Sequence, residues 1–150
     1  YLTHLSRWVR VIHSWSVCDS FSLPQPKKLL REHSPELWAF FLPYLQHSGE
    51  YEVRFGIVAL IQYFIDAEHI DELLRHYLAV SHEGYYVRMA LAWAIAECYT
   101  FYPTETHPSL AEKRFEPWVH NKAIQKICES RRIDPDTKTL LKALRIKASK

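Results

Sequence analysis

The stretch Ser14-Trp15-Ser16-Val17-Cys18-Asp19 sets a carboxylate four residues after a large flat ring. If that stretch is helical, Trp15 and Asp19 lie one turn apart on one face. A carboxylate beside an aromatic ring, with Arg54 as a candidate neighbour, can stabilise a developing positive charge. Both residues also have plain alternatives, Asp19 as an N-cap or loop acid and Trp15 as core. A second set is defined by spacing. Tyr51-Glu52-Val53-Arg54 is followed 34 residues later by Tyr85-Tyr86-Val87-Arg88, and Lys122 stands 34 residues beyond Arg88. A cation at one fixed point of successive repeats makes a stripe, and a stripe of cations suits a polyanion such as nucleic acid. For Arg54 the competing reading is an i to i−4 pair with Glu50 on a solvated face.

Repeats of this length are usually stacked helix pairs, which bury their apolar faces only against neighbouring repeats. Period-3.6 patterns dominate and no alternating strand pattern persists, so the expected class is all-α. Leu2, Leu5, Trp8, Val9 and Ile12 form one helical stripe. Phe21 to Pro26 reads as a loop. Ser34-Pro35-Glu36 reads as a helix start, with a cap, a proline in the first turn and an acid behind it. That helix runs to about 47, with Pro43 bending or ending its first part. Further helices are expected near 50–65, 68–80, 85–101, 117–131 and 135–147, with a proline-containing connection after 101. Asp134-Pro135 starts the last one in the same cap-then-proline style. Arg54 and Arg88 then fall in or near the first turn of their helices. The macrodipole disfavours a cation there by about 0.3–1 kcal/mol, whereas a guanidinium beside exposed N–H groups is a good phosphate seat.

The chain has 150 residues, enough for one domain with a real core. Five Trp, nine Tyr, seven Phe and only three Gly exclude a disordered or low-complexity sequence. The net charge of +2 says little by itself, but basic residues crowd the last third, including Lys122, Lys126, Arg131 and Arg132. Cys18, Cys98 and Cys128 are odd in number and far apart, which fits a reduced, intracellular protein whose thiols act as small apolar side chains. No apolar run approaches a membrane span, and no signal peptide is seen. The chain begins at Tyr1 inside a helix-like pattern, so a fragment lacking upstream repeats is expected.

The run Trp15-x-x-x-Asp19, then Glu52-Val53-Arg54, then Tyr86-Val87-Arg88-Met89-Ala90-Leu91-Ala92-Trp93-Ala94, resembles the DNA alkylation repair proteins of the AlkD type. The tail Asn121-Lys122-Ala123-Ile124-Gln125-Lys126, ending in Glu129-Ser130-Arg131-Arg132, is similar as well. The likeness covers about Trp8 to Arg145. It implies a HEAT-like repeat solenoid over residues 1–150, a C-shaped right-handed array with a basic groove for duplex DNA. It further implies a glycosylase for N3- and N7-alkylated purines. Asp19 would be the catalytic carboxylate, Trp15 and Trp93 would flank the damaged nucleotide's backbone, and Arg54 would hold a nearby phosphate. Arg88, Lys122, Lys126, Arg131 and Arg132 would bind DNA. Phe55 departs from the pattern, because a second basic residue can follow Arg54 in the family.

Such a lesion already carries positive charge and leaves without a strong general acid. A carboxylate need only stabilise sugar cation character and orient water, as in glycoside hydrolysis. Two other functions stay open: a catalytically silent DNA-binding repeat protein, and a protein-binding helical scaffold. The expected protein is a monomer of the bacterial cytoplasm or nucleoid, with no cofactor, no metal and no membrane contact. Nine His form no His-Glu-x-x-His motif, and Gly49, Gly56 and Gly84 form no phosphate loop. Cys18 adjoins Asp19 but reads as packing. Trp38, Phe40, Phe41 and Tyr44 read as core, and Trp118 and His120 as either core or groove.

Overall fold

In a computed structural model, residues 2–10 and 21–147 are described, and among them every regular element is helical. The α-helices are α1 (Leu2–Arg10), α2 (Pro26–Phe41), α3 (Glu50–Tyr63), α4 (Ile70–Leu78), α5 (Tyr85–Phe101), α6 (Pro103–Ala111), α7 (Pro117–Glu129) and α8 (Pro135–Ala143), with a 3-10 helix at Leu42–Gln46 between α2 and α3. The candidates Trp15 and Asp19, and Cys18 beside them, lie outside the described residues.

The helices carrying the 34-residue repeat pack in succession, α3 on α5 and α5 on α7. α1 lies on α3, α4 and α6 on α5, and α8 on α7. Val53, Ile57, Leu60, Val87, Leu91, Ile95, Ile124 and Ile127 supply the apolar filling between them. α3 and α5 are buried nearly all round, as expected of helices with neighbours on several sides. At the α1 end the filling is aromatic: Phe21 meets Phe55 edge-to-face at 5.1 Å, and Phe41 meets Phe55 at 5.9 Å. Gly56 lets α3 approach the 3-10 helix closely, since a Cβ there would lie 2.8 Å from the Cβ of Tyr44.

The starts of the last two helices follow the sequence chemistry. Asp134 caps α8 by accepting from the N–H of Thr137 at 3.0 Å, and Glu116 caps α7 by accepting from the N–H of Trp118 at 3.3 Å. Pro135 and Pro117 occupy first-turn positions, where no N–H is missed.

Three elements differ from the sequence reading. α2 reaches back to Pro26, ahead of the expected start; the Ser34-Pro35 start itself stands, because helical geometry breaks at His33 (φ −134°, ψ 25°) immediately before it. The connection after 101 is itself helical: Pro103 opens α6, and the Thr106 hydroxyl donates to the Tyr102 carbonyl at 2.8 Å. α8 stops at Ala143, because the chain then turns back to bond α7.

Candidate functional site

The N-terminal ends of α3 and α5 are tied together by polar groups. Glu50, in the first turn of α3, accepts a 2.8 Å hydrogen bond from the N–H of Tyr86. α5 has no cap of its own, so the carboxylate of the neighbouring helix serves as one. The Nε2 of His82 lies 2.8 Å from the Ser48 carbonyl, and its Nδ1 accepts from the N–H of Gly84 at 2.9 Å. Tyr51 stacks on Tyr86 with ring centroids 5.9 Å apart.

Arg54 also reaches this joint. It is the fifth residue of α3 rather than part of the open helix terminus, and it is only 8% exposed. Its Nη1 donates to the Tyr86 carbonyl at 2.9 Å. The guanidinium therefore spans the two repeats, and the solvated i to i−4 pair does not describe a side chain this buried. Its repeat equivalents have different surroundings. Arg88 lies over the Trp118 ring, its Cζ 4.8 Å from the centroid, and its buried Nε has no hydrogen-bond partner among the described residues. Lys122 donates to neutral Gln125, Nζ to Oε1 at 3.3 Å. Equal spacing along the chain has put three cations in three environments.

Trp93 stands elsewhere on α5, half-buried, and lines a cleft of about 450 Å³. The α5 wall adds Glu97, Thr100 and Phe101, and α7 with the loop behind it adds Lys126, Glu129 and Arg132. Arg132 lies over the Phe101 ring at 5.3 Å. Glu129 is drawn towards Gln125, whose amide donates to it at 3.1 Å. The cleft thus sets two cations, Lys126 and Arg132, and two carboxylates, Glu97 and Glu129, beside the rings of Trp93 and Phe101. The structure brings Trp93, Lys126 and Arg132 together. Arg88 and Lys122 do not line this cleft, and Arg131 is exposed.

Cys98 is not poised for chemistry. Burial, and next the Glu97 carboxylate, push the Cys98 thiol from an ordinary 9.0 up to about 12. Among the described residues, no group of three or more His, Cys, Asp and Glu could hold a metal ion. No described helix is long and apolar enough to cross a membrane. His120 proves to be core, fully buried with Nε2 2.8 Å from the Leu144 carbonyl, while Trp118 is half-buried at a cleft edge.

Sequence reasoning missed the Glu50–Tyr86 cap, the pairing of Phe101 with Arg132, and the placement of Arg145 and Lys147 beside Trp118. None of these has a local sequence signature, because each joins elements through the packing of separate helices.

The sequence model of a family described as DNA alkylation repair enzyme matches residues 1–127. No curated protein and no solved structure matches the chain.

Proposed function

The chain belongs to the DNA alkylation repair enzyme family, and from this we propose that it is a glycosylase releasing N3- and N7-alkylated purines from duplex DNA. The observation that carries the reading is the cleft in which Trp93 shares walls with Lys126 and Arg132. In this proposal the repeats form a HEAT-like, C-shaped right-handed array. Lys126, Arg131 and Arg132 hold phosphates near the damaged nucleotide while Trp93 and Trp15 flank its backbone. Arg54 sits at the α3–α5 joint and orients the phosphate side of the site. The protein acts as a cytoplasmic monomer without a cofactor.

Asp19 is the carboxylate of the reaction. The C1′–N bond breaks with its electron pair going to the purine, which neutralises the positive charge of the alkylated base. The sugar is left with cation character, which the carboxylate stabilises. Water then adds to C1′ as the carboxylate accepts its proton. Aromatic faces beside the cationic sugar add about 0.5–2 kcal/mol.

A second reading, DNA binding without excision, draws on one observation: Arg54 is buried and bonded to the Tyr86 carbonyl. The two separate in one assay. Asp19→Asn should abolish release of 7-methylguanine from methylated duplex and leave DNA binding largely intact. Equal release by both proteins would overturn the glycosylase assignment.

A further inference from the structure

After α8 the chain returns to the start of α7 and is pinned there. The Leu144 carbonyl meets Nε2 of buried His120 at 2.8 Å. Asn121 then bonds Ile146 in both directions, its Nδ2 donating to the carbonyl at 2.8 Å and its Oδ1 accepting from the N–H at 2.8 Å. These bonds set Arg145 and Lys147 beside Lys122 and Trp118, and the four line a cleft of about 490 Å³. Three of its lining side chains are cations and none is an acid. Among the described residues no carboxylate lies within ion-pair distance of those three.

The aromatic wall of this cleft extends outwards. Tyr85 packs edge-on to Trp118 with centroids 6.1 Å apart, and it is 54% exposed. Tyr86 follows at 5.4 Å from Tyr85, and Arg88 covers part of Trp118. An open ring beside a cleft lined by three cations suits a strand that offers both phosphates and base faces. A duplex hides its base faces by stacking, so the strand must be unpaired.

We propose that this cleft binds unpaired nucleotides of a DNA strand leaving the duplex. Lys122, Arg145 and Lys147 hold consecutive phosphates, and a base stacks on Tyr85. This rests on the DNA-binding part of the proposed function and is independent of the glycosylase chemistry.

The test compares the full chain on a blunt duplex and on the same duplex with a tail of about six thymidines, by fluorescence anisotropy. The tail should tighten binding roughly tenfold. Tyr85→Ala and Arg145→Ala should each remove a factor of about three or more of that gain and leave blunt-duplex affinity unchanged. Both side chains are exposed, and circular dichroism verifies that the variants fold. A tail that adds nothing overturns the site, and an abasic tail that binds as tightly as thymidine overturns the stacking role of Tyr85. A uridine tail that binds equally well supports it, since phosphate and base face are common to both. Loss of blunt-duplex binding by the wild type would instead count against the proposed function, and free oligothymidine would still test the cleft.

Discussion

Glu50 caps a helix to which it does not belong: its carboxylate holds the N–H of Tyr86 at 2.8 Å, across the joint between α3 and α5. Gly84 makes the approach possible, because a Cβ at that position would lie 2.7 Å from Cδ of Glu50. Removing the carboxylate should cost about 0.5–2 kcal/mol, as for other lost caps. At this chain length that lowers the melting temperature by about 2–4 °C per kcal/mol.

The same contact predicts a coupling. Gly84→Ala should destabilise the wild type by displacing Glu50, yet cost nothing in a Glu50→Ala background. The φ of −59° and ψ of 138° at Gly84 suit alanine well. A double-mutant cycle by urea unfolding measures this, and strictly additive costs would contradict it.

Arg54 and Lys126 should separate stability from DNA binding. Arg54→Ala removes a buried charged donor to the Tyr86 carbonyl, and should cost about 1.5–3 kcal/mol without DNA present. Lys126→Ala should stay within about 0.5 kcal/mol of the wild type. It should weaken duplex binding and reduce the salt slope by about one. An unchanged salt slope would remove Lys126 from the interface.

Asp134 should make the last helix acid-sensitive. Its bonds to the Thr137 hydroxyl and N–H hold the carboxyl below its ordinary 3.8. A depressed folded pKa means that the stabilisation is fully present above 3.8 and is lost as pH falls through the lower folded value. The difference in unfolding temperature between wild type and Asp134→Ala should therefore be constant near neutral pH and shrink below about pH 3.8.

Cys98 should resist alkylation in the folded protein even at pH 9, since burial holds its thiol at about 12. Peptide mass spectrometry after iodoacetamide treatment, with and without urea, measures this. Labelling of Cys98 without urea would show that the α5 core opens readily.

The helices were legible because their signals are local. Asp134-Pro135 and the apolar period of residues 85–101 each fix an element within a few neighbours. Ser34-Pro35 was legible for the same reason, since helical geometry breaks at His33 just before it. α6 was hidden because the stretch after 101 reads as a proline-containing connection, though Pro103 takes a first-turn position. In the candidate site, the equal spacing of Arg54, Arg88 and Lys122 was legible, but not the surroundings of each. Burial of Arg54 depends on how α3 meets α5, and the Trp93 cleft on how α5 meets α7. Trp15 and Asp19 lie outside the described residues, so their part in the site rests on the sequence.

The two-way pairing of Asn121 with Ile146 makes a side-chain amide behave as a neighbouring peptide unit, closing α8 between α7 and the returning chain. Any ligand gripping Arg145 or Lys147 must therefore also hold α8 shut, by thermodynamic linkage. Adding ligand should slow amide hydrogen exchange in α8 and leave α4, which makes no such contact, exchanging as before.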